Sequence, residues 1–420
     1  MDLVGVLIVA AVAVGAFALW LVGTALLIWA ERRVVARMQS RLGPNRLGPF
    51  GLLQTLADGA KLFFKEDITP TNVDRAVYLA APAMSAVVAM ITFAVIPFGG
   101  SFEIGERVVR LQVWDPDIGL LWILAMSSIG VYGIVLAGWA SGSKYPLLGG
   151  VRSTAQMISY ELAMGLSLAA VFIWTGSLRS SDIVAAQSGT LFGPIPAWNI
   201  IPQILAFLLF FSAAVAETQR PPFDLPEAEG ELGAGFHTEY SGAKFAMFFL
   251  AEFMNVITMS AVAVTLFLGG PAGPTFGLEG TIWGALLGVV YFAAKVALFL
   301  FVFVWLRGTL PRVRYERLMS LGWKVMLPLG LIWTLFTGVV VVLGQTQEQA
   351  VIRRYAFPAM AILLVVVLVL SLFGERRPAA ADGDGGDPQG SPGAPGGGPS
   401  ARALEAARAS DKRAGAQVGG

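Results

Sequence analysis

Apolar residues in this chain gather in long blocks parted by short polar stretches. The blocks cover about residues 4–30, 76–98, 118–140, 155–175, 199–217, 242–268, 281–306, 323–343 and 356–373. An α-helix rises ~1.5 Å per residue, so ~20 apolar residues cross the ~30 Å hydrocarbon core of a bilayer. The pattern predicts an all-α polytopic membrane protein with eight to nine tilted transmembrane helices. The first block lacks a basic leader and is too long for a cleaved signal peptide, so it reads as a span. The ninth, "AFPAMAILLVVVLVLSLF", is the shortest at eighteen residues. No internal repeat stands out, in contrast to many secondary transporters.

Two stretches break the pattern. In "GLLQTLADGAKLFFK" the polar residues Gln54, Asp58, Lys61 and Lys65 recur at spacings of three and four. That predicts an amphipathic interfacial helix over about 50–65. "RLGPNRLGP" before it stops the first span from running on. The helix is either a surface anchor or the wall of a cavity with Asp58 and Lys61 turned inward. At the other end, 346–375 carries the extra ninth span. Residues 376–420 include "DGDGGDPQGSPGAPGGGPS", which is too poor in apolar residues to build a core and is expected to be a disordered cytoplasmic tail.

Composition agrees with the spans: 56% of residues are hydrophobic and 14% charged, where soluble domains carry roughly 25% charged residues. The net charge of +1 implies no nucleic-acid partner. There is no cysteine and one histidine, His237. Iron–sulfur ligation and disulfides are excluded, and a lone histidine cannot build a zinc site. Basic residues crowd the segments after the first and seventh spans: Arg32, Arg33, Arg37, Arg41 and Arg46, then Arg307, Arg312, Arg314 and Arg317. The positive-inside rule then places the N-terminus outside, the loop after the fifth span in the cytoplasm and the C-terminus inside.

Charges within spans are rare and mark functional paths by default. Glu161 lies in the fourth span, Glu252 near the middle of the sixth and Lys295 near the middle of the seventh, while Glu217 closes the fifth and Glu31 the first. The sequence allows two pairings, Glu252 with Lys295 on neighbouring helices and Glu217 with Arg220 if the helical turn continues that far. A carboxylate in low dielectric holds its proton to higher pH, which suits a group that loads and releases protons. After Glu217 comes "ETQRPPFDLPEAEGELGAGF". Its prolines set an extended or turning path, and Glu227, Glu229 and Glu231 alternate, so an extended segment puts them on one face.

Four stretches together resemble a known family: "ERRVVARMQSRLGPNRLGPFGLLQTLADGAKLFFKE", "GWASGSKYPLLGGVRSTAQMISYE", "AETQRPPFDLPEAEGELGAGFHTEYSGAKFAMFFLAE" and "YFAAKVALFLFVFVWLRGTLPRVRYERLM". They are similar to the H-type membrane subunit of bacterial NADH:quinone oxidoreductase, respiratory complex I. The mitochondrial counterpart is the first NADH dehydrogenase membrane subunit. The resemblance covers about residues 15–345. It implies a membrane domain of that type over 1–345, in the bacterial plasma membrane beneath the peripheral arm, forming the quinone access channel and starting the path that couples quinone reduction to proton pumping. The chain would bind no cofactor and have no redox centre of its own, with quinone as substrate. Iron–sulfur clusters, FMN and NADH would sit in partner subunits. The partners implied are the peripheral-arm quinone-site subunits, the antiporter-like membrane subunits and membrane lipid. By position, Glu161, Glu217, Asp224, Glu227, Glu229, Glu231 and Glu252 match the proton-coupling acids, with Lys295 passing charge onward. Glu31, Arg32, Arg41, Asp58, Lys61, Phe64, Arg220 and Phe223 match the channel. Family members usually have eight spans, so the segment after residue 345 departs from the pattern. Two rival readings are the related subunit of a membrane-bound hydrogenase and a stand-alone ion-coupled transporter.

Overall fold

The structure, a computed structural model, describes residues 3–346 apart from 106, 193–194, 225–232 and 279. The ninth span at 356–373, the tail at 376–420, and Glu227, Glu229 and Glu231 lie outside the described residues. Among the described residues, seven helices are long and apolar enough to cross a bilayer, and an eighth apolar helix is shorter. This is an all-α integral membrane protein.

The helices are α1 (Leu3–Met38), α2 (Gln54–Phe64), α3 (Arg75–Thr92), α4 (Gly119–Ala140), α5 (Lys144–Thr175), α6 (Ser180–Ala186), α7 (Ile204–Glu217), α8 (Gly242–Phe267), α9 (Ile282–Thr309), α10 (Tyr315–Leu321) and α11 (Leu327–Thr346). A π-helical turn at Gly322–Met326 joins the last two into one rod. Helix α8 is the axis of the bundle, and from Val256 to Phe267 every side chain is buried. Helices α1, α3, α7 and α9 pack around it, while α5 joins α4, α7 and α11.

Several spans depart from the hydropathy pattern, and three of them for a clear local reason. Helix α1 runs eight residues past the apolar block, because nothing in "ERRVVARM" breaks a helix and charge is welcome beyond the lipid. Helix α5 begins eleven residues before its apolar block, with Pro146 in the first turn where its missing N–H costs nothing. Helix α7 is shorter than expected, at 14 residues, or ~21 Å. Pro202 supplies no N–H to extend it, and Asn199 and Gln203 in the turn before it are buried. Side chains satisfy that turn: Trp333 Nε1 donates to Gln203 Oε1 at 2.7 Å, Asn199 Nδ2 to the Leu266 carbonyl at 2.9 Å, and the Asn199 amide to Gln187 Oε1 at 3.1 Å.

The connections between the helices gather at two ends of the bundle. One carries α6, the hairpin of β1 (Ser101–Ile104) with β2 (Arg107–Arg110), and the short pair β3 (Thr190–Phe192) with β4 (Ile195–Pro196). Gln112 ties this end together by donating to the Val95 carbonyl at 2.8 Å and to Ser180 Oγ at 2.9 Å. The other end carries α2, the 141–143 turn, residues 218–224 and 233–241, and the 310–314 segment, and it holds the site.

Candidate functional site

The extension of α1 puts Glu31, Arg32 and Arg33 on rigid helix beside α2. The carbonyl of Phe50, ahead of α2, accepts from Trp29 Nε1 at 3.1 Å and Arg33 Nη1 at 2.8 Å. Asp58 forms an ion pair with Arg32, accepts from Gln54 Nε2 at 3.2 Å, and lies 3.5 Å from Lys61. Partial burial pushes the Asp58 pKa up, but the hydrogen bonds from Arg32 and Gln54 outweigh it and hold the carboxyl below its usual range. Lys61 is largely exposed, and Phe64 is 92% exposed. An open cavity of about 430 Å³ beside α1 is lined by Glu31, Arg32, Arg41, Pro44 and Arg307. Among the described residues, α2 contributes nothing to its lining. Helix α2 is thus tied to α1 through Asp58 and Arg32 and leaves Phe63 and Phe64 exposed.

Behind this cavity lies a group of four charges, in which Glu31 and Arg220 are buried, Glu252 is half-buried and Arg307 is partly exposed. Glu31 pairs with Arg307 and, at 3.2 Å, with Arg220 Nη1. On its other edge Arg220 Nε lies 3.1 Å from Glu252 Oε1, and the guanidinium stacks 4.1 Å over the Phe253 ring. Two cations and two anions balance, as burial of charge requires. Both candidate pairings are corrected. Glu217 does not meet Arg220, because the helix ends at Glu217 and Gln219 turns through φ +52, which carries Arg220 to another face. Nor does Glu252 meet Lys295. Lys295 Nζ instead donates to the carbonyls of Leu268, Gly270 and Ala272 at 2.8, 2.9 and 2.8 Å, with the Trp198 ring 5.3 Å away. It clamps the chain where α8 ends, a place with unpaired carbonyls and negative dipole.

The start of the proline-rich loop is held from three sides. Gln156 Nε2, on α5, donates to the Ala216 carbonyl at 2.9 Å and the Phe223 carbonyl at 2.8 Å. The Val313 amide donates to the Pro222 carbonyl at 3.0 Å, and Arg312 pairs with Asp224 at 2.8 Å. The Pro221–Pro222 bond is cis. Phe223 leans on Tyr160 with ring centroids 5.8 Å apart.

A second cavity, about 60 Å³, is lined by Glu217, Glu252, Ser127, His237, Asn255 and Thr258 among others. Its lining is mainly apolar with these polar groups set into it, and it is large enough for a few waters. Ser127 Oγ donates to Glu217 Oε1 at 2.6 Å, and Glu217 Oε2 is buried with no hydrogen-bond partner among the described residues. Ser128, the next residue on α4, hydrogen-bonds Glu161 of α5 at the rim of the bundle. His237 lies among the rings of Phe236, Phe245 and Phe248.

Burial lowers the His237 pKa from an ordinary 6.5 to about 4, so the folded imidazole refuses a proton that the unfolded chain accepts between those values. Stability therefore falls as pH drops through that window. His237→Asn should flatten the fall, read as the melting temperature of the assembled complex against pH. Superimposable profiles for the two proteins would contradict it.

Sequence reasoning missed Ser127, Ser128, Gln156, Arg307 and Arg312 as site residues. The first three are polar side chains inside apolar blocks, a signal weaker than a charge but present. The two arginines belong to a basic cluster that in sequence speaks to orientation alone.

The pattern of the NADH dehydrogenase family matches residues 11–338. A relative from Frankia casuarinae, the H-type subunit of NADH-quinone oxidoreductase, is 50% identical over 367 residues, 87% of this chain and 80% of the relative. The matched stretch contains every ion pair of the four-charge group and both cavities, and this integral membrane chain belongs to the NADH dehydrogenase family of NADH-quinone oxidoreductase membrane subunits.

Proposed function

We propose that this chain is the membrane subunit that forms the quinone access channel of a NADH:quinone oxidoreductase and couples quinone reduction to proton translocation. The observation that carries the reading is that one cation, Arg220, is shared by Glu31, on the open cavity beside α1, and Glu252, on the inner cavity. A change of charge at either carboxylate alters the balance at the other, because buried charges are weakly screened. Quinone reduction creates a demand for protons at the channel. The response passes through Arg220 to Glu252 and Glu217, and then to Glu161 at the rim. Lys295 passes no charge to Glu252 directly in this arrangement, since its ammonium is taken by carbonyls.

The site end of the bundle then faces the cytoplasm and the N-terminus the outside, as the basic loops require. The protein would lie in a bacterial plasma membrane, with peripheral-arm and antiporter-like subunits as neighbours and the redox centres in those neighbours. Glu227, Glu229 and Glu231 extend the acidic series from the loop. The identity of the Frankia casuarinae relative as a NADH-quinone oxidoreductase component favours this reading over a hydrogenase component or a lone transporter.

Glu217→Gln tests it. The amide keeps the shape and accepts from Ser127 but carries no exchangeable acid proton. Quinone-linked turnover and proton pumping should fall by roughly tenfold or more, with NADH oxidation by ferricyanide unchanged. Full pumping in an assembled Glu217→Gln complex would remove the cavity from the proton path.

A further inference from the structure

Ser127 and Ser128 are adjacent on α4, yet each serves a different carboxylate. Ser127 is buried, points into the bundle and donates to Glu217 of α7 at 2.6 Å. Ser128 is exposed, faces the α5 side and hydrogen-bonds Glu161. Successive residues on a helix point ~100° apart, so a serine pair is a compact way for one backbone to address two neighbouring helices. Ser128 Oγ also lies 3.1 Å from the Leu124 carbonyl of its own helix, so its one proton can go to that carbonyl while the hydroxyl accepts from a protonated Glu161. A helix satisfies its own backbone, and serine there costs slightly against alanine. Ser127 lines the mainly apolar inner cavity, where an unpaired hydroxyl would be unfavourable. Glu161 also lies near enough to Glu217 to act on it electrostatically.

We propose that Ser127 and Ser128 are positioning residues that hold Glu217 and Glu161 as successive proton-bearing groups, one on the inner cavity and one at the rim of the bundle. This rests on the coupling role proposed above. The step is a plain proton transfer: one carboxyl gives up its proton, the other carboxylate takes it, and the serine hydroxyls keep theirs. Each hydroxyl hydrogen-bonds its own carboxyl in either state, since it donates to a carboxylate and can accept from an acid. The role of the pair is therefore to fix where the two acids stand. Their order follows from burial, with Glu217 enclosed and Glu161 half open toward whatever packs on the α4–α5 face.

The test is made in the assembled complex, with single alanine and threonine variants at each position and the double alanine. Misplacing a proton-transfer partner costs orders of magnitude, so the double alanine should lose roughly tenfold or more of coupled quinone turnover, with ferricyanide reduction unchanged. Ser127→Thr and Ser128→Thr retain the hydroxyl and should stay within about twofold. The redox-induced infrared band of protonated carboxyl groups should shift in Ser127→Ala, because a hydrogen bond to one of them is gone. Full coupled turnover in the double alanine overturns the inference. So does an equal loss in the threonine and alanine variants, which would mean packing rather than the hydroxyl. If Glu217→Gln pumps normally as well, the coupling role itself fails. If Glu217→Gln is inactive and the serine variants are normal, only the serine inference fails.

Discussion

Arg220→Met is expected to remove most quinone-linked activity and to thin the assembled complex in the membrane. The methionine fills similar space over Phe253 but leaves Glu31 with Arg307 alone and Glu252 without the guanidinium. Removing one partner of a buried ion pair costs ~3–5 kcal/mol, because the remaining charge stays buried. That is enough to push a membrane protein toward misfolding, and the surviving complexes would have lost the link between the two cavities. Arg220→Lys keeps a charge but cannot reach two carboxylates and stack at once, so it should fall between wild type and methionine. Arg220→Met combined with Glu252→Gln removes a stranded carboxylate along with its partner, and assembly should partly return while turnover does not. Native gels with NADH:ferricyanide staining report assembly, and quinone reduction in the same membranes reports function. Wild-type assembly and turnover in Arg220→Met would show that the shared cation carries no weight.

Lys295→Met should cost stability rather than coupling. Three carbonyls at the end of α8 lose the cation that satisfies them. Hydrogen bonds to a charged group contribute ~1.5–3 kcal/mol each and do not add fully, so the loss is on the order of 3 kcal/mol for this half-buried group. Lys295→Arg keeps charge and donors, and should preserve both assembly and pumping. A proton-carrying lysine behaves differently, since arginine does not release its proton near neutral pH. An assembled Lys295→Arg complex that cannot pump would restore Lys295 to the proton path and overturn the clamp.

The two substitutions separate what looked alike in sequence. Arg220 and Lys295 are each a cation near apolar residues, and each stood within reach of a candidate carboxylate partner. Local spacing favoured Glu217 for Arg220, three residues away. The turn at Gln219 broke that register, and residues distant in sequence, Glu31 and Glu252, took the cation instead. Lys295 was drawn to the nearest unsatisfied polar groups. Those were backbone carbonyls, which no residue code displays.

Hydropathy alone determined that this chain spans a membrane, roughly where each of eight apolar helices lies, and that the charged residues within them are exceptional. That much is local, because a bilayer judges each segment by its own apolar length. The family was legible for the same reason, in unbroken stretches such as "AETQRPPFDLPE". Tertiary structure alone decided which charges meet. It gave Arg220 two partners, brought Ser127 and His237 to the cavity of Glu217 and Glu252, and tied α2 to α1 through Asp58 and Arg32. Ion pairs and hydrogen bonds act over a few ångströms in space and are indifferent to separation along the chain. Their choice of partner therefore waited until α1, α4, α7 and α8 had packed.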